Sequence, residues 1–239
     1  MNTQHIKTET RDRVLYITID RADKHNALAL AIIEAIGATF RNAAADENLV
    51  AAVLRGAGEK TFAAGGDLRE LAGLRTEAEA KTMALDTKAA FNAIRDFPVP
   101  VIAALNGNAF GGGAELAVSC DFRVAAPHAR IGFVQGRLAL ATAWGGGPDL
   151  LDLVGRAHGL RLMSTGEMLD PDAALAIGLY DAVGAGGEEF AETVEAFLAP
   201  IRNQKPQSMR AFKAVSDAHR RGEDRDAMQA IETAYFVKT

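Results

Sequence analysis

Two short stretches set glycines beside a helix-like run and close on a carboxylate: Phe62-Ala-Ala-Gly-Gly-Asp67 and Gly111-Gly-Gly-Ala-Glu115. Glycine lets a backbone approach a ligand closely because no Cβ intervenes. The start of a helix points unsatisfied N–H groups and partial positive charge outward. Two such turns aimed at one point would make an anion site. A P-loop is excluded, because no Gly-Lys-Ser/Thr occurs, and Gly107 to Gly113 lacks the Gly-x-Gly-x-x-Gly spacing of a dinucleotide fingerprint. What remains is stabilisation of an oxyanion that develops during a reaction. Tight strand-to-helix turns would explain either stretch alone; they explain less well two stretches, the second with a carboxylate attached. None of the five histidines (His5, His25, His128, His158, His219) has metal-ligand spacing, so no metal is expected.

The elements that must position these turns can be read along the chain. Residues 14–20 (VLYITID) alternate and are β-branched, the pattern of a strand. Asn26 then precedes ALALAIIEAIGATFRNAAA, which has helical periodicity, and is the expected N-cap. Residues 49–56 read as a buried strand ahead of the first glycine-rich turn. After that turn DLRELAGL starts a helix with Asp67 in its first turn. A helix is expected over 76–96, stopped by Pro98 and Pro100. Residues 101–105 (VIAAL) form an apolar strand ahead of the second turn, from which LAVSCD opens as helix. Strands are expected at 122–125 and 129–134, a helix from Trp144-Gly-Gly-Gly-Pro148, and mostly helix from Asp170 on. This recurring β–β–α cadence argues for an α/β fold with crossover connections.

Composition narrows the class further. The 239 residues are 49% apolar and 24% charged, a globular mixture long enough for one large core. The net charge is −5 and Lys and Arg are scattered, so no nucleic-acid surface is expected. The single cysteine, Cys120, excludes an internal disulfide and fits a reducing compartment. It reads as a small buried apolar side chain. No apolar run reaches the ~18 residues of a spanning helix, and the first residues carry no signal-peptide pattern. A cytoplasmic protein without a membrane partner is expected.

The ordered set Asp20-Arg21…Asn26-Ala27-Leu28, Phe62-Ala-Ala-Gly-Gly-Asp67-Leu68, Asn106-Gly107…Gly111-Gly112-Gly113-Ala114-Glu115-Leu116…Cys120-Asp121 and Trp144-Gly145-Gly146 resembles the crotonase (enoyl-CoA hydratase/isomerase) superfamily over nearly the whole chain. The resemblance implies a crotonase-like spiral of ββα units, with 1–187 as the acyl-CoA-binding and catalytic core. It implies a helical C-terminal region at 188–239; family chains usually carry a further segment there, so this region is expected to be either naturally short or truncated. It also implies a homotrimer or a hexamer, and an acyl-CoA substrate with coenzyme A entering as part of that substrate rather than as a bound cofactor. The oxyanion hole would be the N–H groups of Gly66 and Gly112. Residues around Lys24, His25 and Ala27, and those from Ala64 and Gly65 through Asp67 and Leu68, would line the CoA arm. Gly111 and Trp144 would border the substrate, although a tryptophan is also at home in a core. Lys24 and Arg21 are either solvated loop cations or contacts for CoA phosphates.

Family hydratases set two glutamates against the substrate. Glu115 matches the first. The second belongs to a Phe-Gly-x-Pro-Glu-like stretch, which here reads Ile131-Gly-Phe-Val-Gln135-Gly-Arg137, so its position is held by Gln135. An amide has no proton to exchange and offers only hydrogen bonds, whereas two-carboxylate hydration needs an acid and a base. Chemistry that needs one carboxylate, or none, is therefore expected. The local motifs look closest to the ethylmalonyl-CoA decarboxylase-like branch, which makes a lyase acting through a thioester enolate the leading expectation. A double-bond isomerase and a hydratase are the alternatives, followed by a non-catalytic CoA-binding protein and a thioester hydrolase. Asp121 and Arg123 are expected to pair with each other.

Overall fold

The computed structural model of the chain describes residues 5–184 and 190–237. The expected boundary between 187 and 188 lies outside the described residues. A hairpin of β1 (Ile6–Arg11) and β2 (Val14–Ile19) leads to helix α1 (Leu30–Ala43). Three strand–strand–helix units follow: β3 (Ala51–Gly56), β4 (Thr61–Ala63) and α3 (Glu77–Arg95), with the single turn α2 (Leu68–Leu71) inserted before α3; then β5 (Val101–Leu105), β6 (Asn108–Phe110) and α4 (Gly112–Val118); then β7 (Phe122–Ala125), β8 (Ile131–Gly132) and α5 (Gly146–Thr165). Helix α6 (Pro171–Ala176) and strand β9 (Ala182–Val183) complete the core, and α7 (Phe190–Arg202), α8 (Pro206–Arg220) and α9 (Arg225–Phe236) end the chain.

The first strand of each unit joins one sheet, of order β1-β2-β3-β5-β7-β9, and the second joins another, β4-β6-β8. Apart from the antiparallel hairpin, the pairings are parallel. Every residue of β5 (VIAAL) is buried, so it alternates no polar side chains. A parallel strand covered on both faces requires that pattern. Helix α3 starts at a capping box of Thr76 and Glu79, which satisfies two of its orphan N–H groups.

Because β4, β6 and β8 run parallel and side by side, the segments that leave their C-terminal ends emerge together. Those segments are Ala64-Gly65-Gly66, Gly111-Gly112 and 133–138. Ligands of open parallel sheets gather at this end of the strands.

Two readings of individual residues need correction. Asn26 is not an N-cap: α1 starts at Leu30 with Ala29 as its cap. Asn26 instead takes a left-handed backbone (φ 51°) and is fully buried. Its Oδ1 accepts from Arg21 N at 3.1 Å, and its Nδ2 donates to the carbonyls of Ala57 (3.0 Å) and Thr61 (2.7 Å). Asp121 and Arg123 do not form an ion pair either. The buried Arg123 reaches the carboxylate of Asp181 at 2.9 Å, and Asp121 reaches Lys213 Nζ at 2.8 Å.

The last helices are keyed to the core by specific contacts. Phe197 of α7 meets Phe122 of β7 edge-on at 5.4 Å, and Tyr16 of β2 donates to Glu195 at 2.9 Å. Lys213 of α8 is buried and donates to the carboxylates of Asp121 and Asp217 and to the carbonyl of Arg95.

Candidate active site

The two glycine-rich turns are in contact. Gly65 has φ 101°, and a side chain there would lie 3.0 Å from the Phe110 carbonyl and 3.5 Å from the Gly112 nitrogen. Gly66 and Gly112 abut the same indole. A Cβ on Gly112 would come within 1.9 Å of the Trp144 ring, and one on Gly66 within 3.0 Å. Only glycine lets the turns and the indole close this tightly. Among the hydrogen bonds of the described residues, neither the Gly66 nor the Gly112 amide is a donor. Gly112 opens α4, where a free N–H is the normal state of the backbone.

These turns border a cavity of about 390 Å³. Of the expected site residues it gathers Ala64, Gly65, Gly66, Leu68, Gly111, Gly112, Glu115, Gln135 and Trp144. Lys24, His25, Ala27 and Asp67 are not among its walls. His25 lines a groove of about 610 Å³ together with Ala64, Lys60 and His128. Lys24 is exposed on the 22–24 turn, and the Ala27 carbonyl accepts from Arg21 Nη1 at 3.1 Å. Asp67 caps α2 by accepting from Arg69 N, and it pairs with Arg21 at 3.1 Å. The Arg21 contact, aided by the Arg69 amide, holds its carboxyl below the usual range.

Glu115 is 2% exposed, in the first turn of α4. Its Oε1 accepts from Gln135 Nε2 at 3.0 Å and from Ala143 N at 3.4 Å; its Oε2 accepts from Trp144 N at 2.9 Å and Gly146 N at 3.0 Å. Burial pushes its carboxyl above the usual range, and the N–H groups of Gly146, Trp144, Gln135 and Ala143 pull the other way. The contact fixes which way the Gln135 amide faces, since only its nitrogen can donate to a carboxylate. Its Oε1 is buried and has no partner among the described residues. The position matched to a second glutamate thus touches the first, with an amide in place of an acid.

Trp144 is 5% exposed, lies edge-on to Phe91 at 5.8 Å and also walls the cavity, so it serves as both core and lining. Cys120 is buried, and burial pushes its thiol up to about 12, which leaves it no thiolate for nucleophilic work.

Sequence reasoning missed the rest of the wall. Leu71, Leu74, Ala80, Met83 and Ala84 reach the cavity from α2, α3 and the segment between them, and Leu138, Leu140, Ala141 and Ala143 reach it from the segment after β8. Exposed-looking leucines carry no local mark of a pocket. The buried amides Asn26 and Asn106 were also missed in their actual role. Asn106 accepts from Gly56 N at 2.9 Å and donates to the Gly58 carbonyl at 2.8 Å, so the two asparagines together pin the 56–61 turn that delivers β4.

The geometry agrees with what the chain resembles in known proteins. Residues 9–239 match the family model described as enoyl-CoA hydratase/isomerase. A short-chain-enoyl-CoA hydratase from Clostridium acetobutylicum is 33% identical over 99% of this chain and 89% of its own length. An ethylmalonyl-CoA decarboxylase from Xenopus tropicalis is 31% identical over 72% of this chain and 58% of its own. The crystal structure of an enoyl-CoA hydratase from Bacillus anthracis superposes with a TM-score of 0.90 at 29% identity, covering 98% of this chain and 90% of that one. With that match along the sequence and the paired turns, buried glutamate and spiral of ββα units, the chain belongs to the enoyl-CoA hydratase/isomerase family of the crotonase superfamily.

Proposed function

We propose that the chain forms and reprotonates the enolate of an acyl-CoA thioester with one carboxylate, and that its reaction shifts a double bond between the β,γ and α,β positions. The observation that carries this reading is that Glu115 is, among the described residues, the one ionisable side chain lining the cavity. As base it takes a proton from the α-carbon; the electron pair passes into the dienolate, and the same proton returns at the γ-carbon. Gln135 has no proton to trade and acts by holding Glu115. Charge developing on the thioester oxygen would meet the free amides of Gly66 and Gly112. Two such donors in a dry site are each worth roughly 3 kcal/mol of barrier.

The lyase reaction suggested by the local motifs would use the same hole. It is the weaker reading, because a second substrate carboxylate would be buried with no cation in the cavity lining among the described residues and with Glu115 as its neighbour. The lining favours an uncharged aliphatic acyl group. Leu68, Leu138 and Leu140 line the cavity yet are 60%, 57% and 50% exposed, so a hydrocarbon chain laid across them would cover them. We read the assembly as a homotrimer or hexamer on the family resemblance; the exposed Phe212 and Phe236 of α8 and α9 support contact between copies.

The test is to offer the purified protein 3-hexenoyl-CoA, 2-hexenoyl-CoA and ethylmalonyl-CoA. The highest kcat/KM is expected for conversion of the first to the conjugated thioester. Faster hydration of the second, faster carbon dioxide release from the third, or release of free CoA thiol would overturn the reading in favour of a hydratase, a lyase or a hydrolase. Binding of all three without turnover would make the chain a CoA-binding protein.

A further inference from the structure

Beneath the turn that holds Glu115 lies a buried ion pair that the site as described does not use. Arg95, at the end of α3, is 5% exposed. Its Nη2 and Nε lie 2.6 and 3.0 Å from Asp149 Oδ2, and Asp149 stands in the first turn of α5. The same Nη2 also donates to the Trp144 carbonyl at 3.3 Å. The guanidinium fits closely under the next residue: Gly145 has φ 96°, and a Cβ there would sit 2.8 Å from Nη2. Trp144 and Gly146, on either side of Gly145, are the residues whose N–H groups hold Glu115 Oε2.

We propose that Arg95, braced by Asp149, is a positioning residue for the proton-transfer step: it fixes the Trp144–Gly146 backbone so that its amides stay aimed at Glu115. The inference rests on the reading of Glu115 as the proton-carrying group. A buried Arg–Asp pair is a poor source of stability, since an apolar pair of similar volume is often as stable. What an apolar pair does not supply is a donor for the Trp144 carbonyl. The groups that face Glu115 are backbone N–H donors and Gln135; among the described residues no other ionisable side chain lines the cavity, so its affinity for a proton depends on how those dipoles are held. If the turn slips, burial is less opposed and Glu115 becomes a group that protonates at higher pH.

The experiment compares the wild type with Arg95→Met, Arg95→Lys and the double variant Arg95→Met/Asp149→Leu. Arg95→Met alone leaves Asp149 buried without its partner and is expected to lose stability; the double variant is expected to recover most of it. Two readouts are taken across pH: exchange of the α-protons of butyryl-CoA in deuterium oxide, and the emission of Trp144, the one tryptophan in the chain. In the double variant the acid limb of the exchange profile is expected to move up by about one pH unit, the size of one weakened charge-assisted hydrogen bond. The Trp144 emission transition should move with it. Arg95→Lys should fall between, since an ammonium can reach the carbonyl but not brace both groups. A double variant that regains stability together with the wild-type profile and emission would overturn the proposal and leave Arg95 a structural residue. Absence of exchange in the wild type would instead defeat the enolate reading, and the pH dependence of Trp144 emission would still decide for or against Arg95.

Discussion

Two buried acids of this molecule are solvated in opposite ways. Among the described residues, Glu115 is met by four N–H groups and no cation. Asp217, on α8, is met by the ammonium of Lys213 at 2.7 Å, with the Arg220 guanidinium at 3.7 Å. Burial raises both carboxyls above the usual range, opposed in one case by dipoles and in the other chiefly by Lys213. The difference in consequence is large. A carboxylate held by neutral dipoles can accept a proton without stranding a partner charge, so it can take part in a proton cycle. A carboxylate paired with a buried ammonium does so less readily, because each proton it gains removes one of the two carboxylates that balance Lys213. The contrast makes Glu115, on the cavity side of α4, the candidate for proton transfer and leaves the ion cluster under α8 to the assembly of the fold.

Breaking this contrast at its strongest point should give the largest effect. Glu115→Gln removes the only ionisable group that the described residues place in the cavity and is expected to lower kcat for isomerisation about 10²- to 10⁴-fold, measured on 3-hexenoyl-CoA, while the protein stays folded. Activity within a few-fold of wild type would move the proton transfer elsewhere. On the other side, Lys213→Met should leave activity per folded molecule intact but lower stability by about 3 kcal/mol in urea unfolding, because Asp121 and Asp217 would lose the ammonium they share and Asp217 would keep only the more distant Arg220. A loss under about 1 kcal/mol would show that water compensates the two acids.

The smallest and most informative change is Gln135→Glu. It would set a second carboxyl within hydrogen-bond reach of Glu115, and like charges raise each other's proton affinity. With Glu115 as the proposed base, activity should require its ionised form, and the acid limb of the isomerisation profile should shift to higher pH by about one unit. Hydration of 2-hexenoyl-CoA, which needs an acid and a base together, should rise above the wild-type level. An unchanged profile would mean that the two side chains part when substrate binds.

Part of this was legible along the chain. The second glycine turn, Glu115 and the helix it begins are adjacent in sequence, so their conjunction is a local fact. Gln135 was placed by counting in register from Ala129 to Gly145, and the structure puts it 3.0 Å from Glu115. Asn26 shows where local reading fails. Its type suits an N-cap, but its partners, Ala57 and Thr61, stand more than 30 residues away, and the buried turn they form outcompetes a cap on α1. Arg123 took Asp181 over Asp121 for the same reason: its guanidinium faces across to the segment leading into β9.

What the sequence by itself determined is the family, the ββα cadence and the inventory of reacting groups, one carboxylate and an amide where a second acid would stand. Those follow from residue types and short spacings. The tertiary structure alone decided that the turns after β4, β6 and β8 meet at one cavity. It also decided that Glu115 is held by dipoles rather than by a cation, and that Arg95 braces the turn above it. These are contacts between segments tens of residues apart, and they exist only once parallel strands have brought their C-terminal ends together.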